Sequence, residues 1–330
     1  MSNTYANLTL TEPFDLRATL AGGAAFGWGR YNRRGRLLAY GEADEEGWFT
    51  APTFGRVIRL RQPDPARIEI ECSAARLDSP PLPRPMSTAE FVTWYFRMEE
   101  KLSDIIRMMG RDPHAGEAAA RLPGLRLIRV EPVECLLSFL SSPQNRIPKI
   151  AQILNAVSRK YGEALRTKWG IFHLPPHPSR MARARSTALA ACGLRYGVPQ
   201  ARNILRTFRR ISETDDFFGR NSATNHPYEE SWRAVISTCM GAGPKVSDCV
   251  CLFALGHLEA VPVDVHVFNS TVRLYRKELR GLRAKDADTL TIKEYRRIGN
   301  FYREKFGRLA GYAQQYLFTA ERIRRGFMKI

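Results

Sequence analysis

The sequence predicts an α+β protein, with a β-rich segment over residues 1–85 followed by a helix-rich body over residues 86–330. Three observations predict it. Within the first 78 residues, Ile68-Glu69-Ile70-Glu71-Cys72 alternates apolar and charged side chains and Val57 to Leu60 is a short, largely apolar run, with Gly and Asn clusters as punctuation. Asp78-Ser79-Pro80-Pro81-Leu82-Pro83-Arg84-Pro85 is too rich in proline for a strand or a helix and reads as a linker. Beyond it, apolar residues recur at helical spacing behind recognisable helix-start signals.

Taken in order, Ser87 or Thr88 can cap a helix carrying Phe91, Trp94, Tyr95, Met98 and Leu102 on one side, a stripe that reads as core. Glu131-Pro132 opens a second helix through Cys135, Leu136 and Phe139, and Ile147-Pro148 opens a third that ends near Gly162. Residues 163–200 say little. Arg180 to Arg185 reads as a solvated basic face, and His173 and His177 read as loop because Pro175 and Pro176 lie between them. Over about 231–256, Trp232, Val235 and Ile236 form a helical stripe that Met240-Gly241-Ala242-Gly243 interrupts. The stripe resumes from Lys245 through Val246, Cys249, Val250, Phe253 and Ala254, with Gly256 as the residue that closes it. Pro262 then holds Val261 out of the helical region, so Asp264 can cap the helix that follows. A last helix over about 291–325 places Gln314 and Phe318, four residues apart, on one face.

Charge and cysteine usage narrow the partners. A net charge of +18 and an isoelectric point near 10.0 favour a polyanion, although a solvated basic surface or an anionic membrane face would give the same balance. The sequence has no run of eighteen apolar residues, and its first twenty residues lack a signal peptide's basic start and apolar centre, so an intracellular protein off the membrane is expected. Cys72, Cys135, Cys192, Cys239, Cys249 and Cys251 form no CxxC pair and read as free thiols; no metal and no cofactor are expected.

One residue stands out chemically. The chain has ten lysines against 41 arginines, and Lys245 is the only lysine between Lys168 and Lys277. It follows Gly241 and Gly243 at the start of a helix, where free amides suit a phosphate and the positive end of the helix dipole disfavours an extra cation. Arginine holds a phosphate but keeps its proton, whereas lysine can become a neutral amine nucleophile. On residues alone, the hairpin is equally an ordinary corner between helices, Asp264 a helix cap, and Gln314 with Phe318 a surface residue beside a core one.

The stretch Cys239-Met240-Gly241-Ala242-Gly243-Pro244-Lys245-Val246-Ser247-Asp248-Cys249 resembles a known hairpin, Leu-Pro-Gly-Val-Gly-x-Lys-Val-Ala-Asp-Cys. That hairpin belongs to the helix-hairpin-helix, Gly/Pro-Asp superfamily of DNA glycosylases, and within it to the 8-oxoguanine DNA glycosylases. The family's Val-Pro-Val-Asp-Val-His run stands unchanged at Val261 to His266, and Glu131 to Ile150 and Ile298 to Phe318 extend the similarity. The resemblance implies an N-terminal antiparallel β domain, a two-lobed, mostly α-helical body containing the helix-hairpin-helix motif, and a monomer acting on double-stranded DNA that contains oxidised guanine. It implies Lys245 as a Schiff-base nucleophile and Asp264 as the carboxylate that stabilises the sugar cation. Gly23, Cys249, Pro262, Gln314 and Phe318 would line the base pocket, and Gly241, Gly243, Val246 and His266 would hold DNA. Gly22 to Trp28 resembles the family's Gly-Gln-x-Phe-Arg-Trp, which puts Gly23 where a backbone carbonyl accepts the N7 hydrogen that 8-oxoguanine has and guanine lacks.

Ala24 and Gly27 depart from that motif, and the larger departures fall on the side that faces the orphaned base. In the loop Ser141 to Arg146, Gln144 takes the place of an asparagine and Lys149 that of an arginine expected to face cytosine. At Leu194 to Arg202 an apparent one-residue insertion leaves the family's Gly-Tyr-Arg wedge without an assigned counterpart. The iron-sulfur loop of some superfamily members is excluded, because no cysteine follows Cys251. The implied reaction is excision of 8-oxoguanine, preferably opposite cytosine, with nicking by β-elimination. Two alternatives are a monofunctional glycosylase for alkylated bases, which needs no amine at position 245, and a non-catalytic DNA-binding module.

Overall fold

A computed structural model describes residues 3–73, 82, 84–284 and 290–328. The chain first builds β1 (Asn3–Thr9), α1 (Leu16–Leu20), β2 (Gly29–Tyr31), β3 (Leu37–Tyr40), β4 (Phe49–Thr53), β5 (Arg56–Asp64) and β6 (Arg67–Ser73). The six strands pair antiparallel in the order β1-β6-β5-β4-β2-β3. Alternation dictates the register. Ile68 and Ile70 of β6 and Ile58 and Leu60 of β5 are buried on one face, while Glu69 and Glu71 pair with Arg61 and Arg59 on the other. Most of the proline-rich linker, 78–81 and 83, lies outside the described residues.

The helical body comprises α2 (Thr88–Tyr95), α3 (Leu102–Met109), α4 (Pro113–Arg121), α5 (Pro132–Leu140), α6 (Ile147–Tyr161), α7 (Pro178–Ala182), α8 (Ser186–Ala190), α9 (Gly197–Glu213), α10 (Phe217–Arg220), α11 (Tyr228–Thr238), α12 (Pro244–Phe253), α13 (Val265–Leu274), α14 (Ile292–Phe306) and α15 (Ala310–Arg324). Ser87 caps α2 in a reciprocal arrangement with Glu90, Glu131 caps α5, and Gly162 ends α6. The helix expected to run on to Leu102 stops instead at Tyr95. Arg97 takes φ 51°, which no helix allows, and its buried guanidinium pairs with Glu100, so α3 starts afresh at Leu102.

The expected single helix over 291–325 is likewise two. Gly307 takes φ 57° and a short 3₁₀ turn, Gly307–Leu309, separates α14 from α15. Residues 163–200 also hold a β-hairpin, β7 (Ala164–Thr167) with β8 (Gly170–His173), so His173 is a strand residue and His177 the cap of α7. α12 ends at Phe253, and Gly256 takes φ 86° shortly after it.

Aromatic packing joins the sheet to the helices. Trp28 is buried, its indole N–H donates to the Tyr95 hydroxyl at 2.8 Å, and Phe26 packs edge-on against Phe139 of α5. Glu134 of α5 reaches the same region: its Oε1 accepts from the Gly27 amide at 2.9 Å. Burial pushes the carboxyls of Glu131 and Glu134 above their ordinary value, and a charge on Glu131 further opposes ionisation of Glu134. The native state therefore keeps protons that the unfolded chain sheds, and their stabilisation fades as pH rises from 4.5, the ordinary carboxyl value, into the neutral range. Glu134→Gln is expected to flatten the fall of melting temperature between about pH 5 and 8; melts at stepped pH that run parallel to wild type would contradict this.

Candidate active site

The site starts at the junction of α11 and α12. Ala242 N–H closes a turn on the Cys239 carbonyl at 3.0 Å, Gly241 takes φ 86°, and Gly243 is the N-cap of α12 without a side chain to offer. Pro244 opens the helix, as its missing N–H permits. The first turn of α12 thus presents backbone amides that no side chain caps, with Val246 buried beneath. Gly241 lies against Asn203 of α9, whereas a Cβ on Gly243 would meet open space.

Lys245 is half-buried, and its ammonium lies 4.5 Å from the centroid of the Phe139 ring. One turn on, Cys249 is buried; burial pushes its thiol up to about 12 against the pull of the nearby lysine charge. Cys135 of α5 lies behind, its thiol 3.8 Å from the Cys249 carbonyl. Asp264 caps α13, with Oδ1 accepting from the Val267 amide at 2.7 Å, so the cap expected from the sequence is present. Its charge is within electrostatic reach of both the Cys249 thiol on α12 and the Arg322 guanidinium on α15. Val261, Pro262 and Val263, which deliver it, are all buried.

Arg322 connects this group to a second one. Its guanidinium carbon lies 5.6 Å from the centroid of the half-buried Phe318 ring, and its Nη1 donates to the Ala21 carbonyl at 2.7 Å. Gly23 faces the same ring: a Cβ there would stand 3.4 Å from Phe318 and 3.1 Å from Ile147. Gln315 holds the turn by donating to the Gly22 carbonyl at 2.7 Å. Gln314 is 3% exposed, and its carbonyl oxygen Oε1 has no hydrogen-bond partner among the described residues. A buried acceptor left open is costly unless a ligand fills it. His266, on the first turn of α13, lies 3.4 Å from Arg325 and beside the exposed Phe327.

The family model of the 8-oxoguanine DNA glycosylase N-terminal domain matches residues 7–136. The N-glycosylase/DNA lyase OGG1 of Arabidopsis thaliana is 30% identical over 271 residues, which cover 80% of this chain and 69% of that one. The chain belongs to the 8-oxoguanine DNA glycosylase/lyase family. The Clostridium acetobutylicum 8-oxoguanine glycosylase/lyase, solved in its apo form, shares 26% identity over 96% of this chain and 97% of its own, with a TM-score of 0.74. The same enzyme in complex with double-stranded DNA containing cytosine opposite 8-oxoguanine gives 25% identity, 97% and 98% coverage and the same TM-score of 0.74. The α+β architecture, an antiparallel N-terminal sheet followed by helices, is that of these glycosylase structures.

Within this glycosylase family member, the remaining candidates lie along another edge. Gln144 is exposed with φ 53° in the loop between α5 and α6, and Lys149 is exposed on α6, two residues after the Ile147 that closes on Gly23. A Cβ on Gly193 would stand 3.1 Å from the Lys149 ammonium, which brings the chain before α9 against this lysine. There stands Tyr196, a residue outside the candidates that sequence motifs pick out. It is 48% exposed at the N-cap of α9, and Gly193 and Gly197 on either side both take positive φ. Its amide donates to Gln200 Oε1 at 3.1 Å, and Gln200 in turn reaches the Leu140 carbonyl at 2.9 Å. The signal in the sequence is an aromatic bracketed by glycines, just before the Gly197 to Arg202 stretch that departs from the family's wedge.

Gly23 gives a direct test of the turn that faces Phe318. At φ 92° a side chain is strained, so Gly23→Ala is expected to cost about 1–2 kcal/mol. Urea denaturation with unchanged midpoint and slope would show that this turn relaxes freely.

Proposed function

We propose that the chain excises 8-oxoguanine from duplex DNA and nicks the abasic strand, with Lys245 as nucleophile and Asp264 as the stabilising carboxylate. The observation that carries this reading is the half-buried lysine at an uncapped helix start, set against Phe139 and Cys249 with Asp264 close by. A division near residue 85, two helical lobes, a monomer, and a helix-hairpin-helix over about 231–256 that grips the phosphate backbone through Gly241, Gly243, Val246 and His266 belong to the same proposal. The base must leave the stack before C1′ can be reached, at a cost of roughly a few kcal/mol that phosphate contacts offset.

In the flipped state, the neutral amine of Lys245 forms a bond to C1′ as the bond from C1′ to the base breaks, and the base leaves with the electron pair and takes up a proton. Asp264 stabilises the positive charge that develops on the sugar. Loss of the amine proton and opening of the C1′–O4′ bond give the imine. Loss of a C2′ proton then expels the 3′ phosphate, and water releases the lysine. The base would lie between Phe318 and Cys249 beside Pro262, with the Gly23 carbonyl reading N7–H and Gln314 pairing with its edge. The open acceptor on Gln314 supports this placement.

The rival readings are a monofunctional alkyl-base glycosylase and a non-catalytic DNA-binding module; neither accounts for an amine held at this point. Borohydride added during reaction with an 8-oxoguanine duplex is expected to trap a covalent complex in wild type and not in Lys245→Gln, because an imine is reducible. Trapping that survives the substitution would remove Lys245 from the mechanism, and no cleavage by wild type would favour the rivals.

We further propose that Tyr196 is the wedge that fills the space left by the base, with Gln144 and Lys149 facing the orphaned cytosine. Gly197 follows the tyrosine where the family has an arginine, and a bidentate hydrogen-bonded pair to a base edge is worth about 1–3 kcal/mol of discrimination that glycine does not supply. Excision is expected to favour cytosine opposite the lesion, with weaker discrimination against adenine, guanine and thymine than relatives show, and Tyr196→Ala is expected to slow all four duplexes. Single-turnover rates on duplexes differing only in the opposite base decide both points; a strong cytosine preference that survives Gln144→Ala and Lys149→Ala would exclude these two as its readers.

A further inference from the structure

Three residues beyond Lys245 on α12, Asp248 is 1% exposed. A carboxylate in that position costs more to bury than an apolar side chain of similar size, so its neighbours must supply donors. They come from three elements. The hydroxyl of Tyr228 on α11 donates to Oδ1, the hydroxyl of Tyr295 on α14 donates to Oδ2, and the Val261 amide lies near enough to favour the charged carboxylate. Arg303, 3.4 Å from the Tyr228 hydroxyl, is the nearby cation.

The two tyrosines differ in what else they hold. Tyr228 ties Asp248 to the start of the helix before the hairpin and ends at Arg303. The Tyr295 hydroxyl also accepts from the Val263 amide at 3.4 Å and lies 3.3 Å from the Val261 carbonyl. Val261 and Val263 flank Pro262 and lead directly into Asp264. The carboxylate on the Lys245 helix is therefore linked through the Tyr295 hydroxyl to both sides of the segment that delivers the other candidate catalytic group. Packing alone would let this segment slide along α12, whereas directional contacts from one hydroxyl to the Val263 amide and the Val261 carbonyl fix its distance and its rotation.

We propose that Asp248, acting with Tyr295, is a positioning residue that sets Asp264 relative to Lys245, so that amine and carboxylate meet the same sugar. This rests on the roles given to Lys245 and Asp264 above. Misplacement of a catalytic group by about 1 Å can cost on the order of a hundredfold in rate.

The test compares two substitutions that each remove one hydroxyl from the same carboxylate. Tyr295→Phe is expected to lower the single-turnover rate of 8-oxoguanine excision at saturating enzyme by about tenfold or more, with duplex affinity and melting temperature no worse than those of Tyr228→Phe. Tyr228→Phe, which leaves the Val261 and Val263 contacts in place, is expected to slow excision much less. Asp248→Asn should follow Tyr295→Phe in rate at temperatures where circular dichroism shows it folded. Equal rates for the two phenylalanine variants, or an Asp248→Asn protein that melts early yet excises at the wild-type rate while folded, would reduce the network to a structural role. A wild-type protein that leaves 8-oxoguanine duplexes uncut would instead sink the reading of the site, and the positioning role with it.

Discussion

Every side chain of α5 from Val133 to Leu140 is buried, and the rest of the molecule depends on that one helix finding partners on all sides. Toward the sheet it offers Glu134 to the Gly27 amide and Phe139 to Phe26. Toward α12 it offers Cys135 to Cys249, and Phe139 again, stacked with Phe253 and facing the Lys245 ammonium. One phenylalanine thus borders both the Gly22–Trp28 turn and the candidate nucleophile. A helix polar on one side could not join the two, which is why its only ionisable groups besides the thiol, Glu131 at the cap and Glu134 in the first turn, are carboxyls that burial inclines toward the neutral form.

Much of this was legible because particular residues have few alternatives. Alternation in β6, the Glu131-Pro132 and Ile147-Pro148 starts, the double glycine before Lys245 and the Asp264 cap each follow from local geometry, and the structure shows them where the residues ask for them. The errors came where a distant partner decides. The stripe from Phe91 to Leu102 is continuous in apolar spacing, yet the buried ion pair of Arg97 with Glu100 turns the chain through a left-handed residue that no local rule announces. Gly307 could sit inside a long helix at modest cost, and here it ends one instead. The hairpin of β7 and β8 leans on the turn before β3 through the Ile171 amide and the Arg33 carbonyl, a contact across more than a hundred residues.

The candidate site divides in the same way. Lys245 and Asp264 could be picked out by type and neighbours, since a lone lysine among arginines and an aspartate after Val-Pro-Val are visible in one dimension. Tyr196 could not be weighed without seeing that it stands in solvent between two positive-φ glycines, the first of which, Gly193, lies against Lys149. Arg59 and Arg61 of β5 show the complementary case. These arginines are spent on Asp44, Glu69 and Glu71, so a high net charge by itself does not say where a polyanion would lie.

The turn that carries Gly23 is fastened by residues from the far end of the chain: Gln315 holds the Gly22 carbonyl and Arg322 that of Ala21. During synthesis this wall cannot exist until residue 322 has left the ribosome, because nothing earlier supplies those two donors. A nascent chain can therefore already carry the glycine hairpin and its lysine while the Gly23 turn is still unfastened. The order of translation thereby separates the two parts of the candidate site: the uncapped amides before Lys245 form from neighbours in sequence, and the turn that faces Phe318 waits for α15.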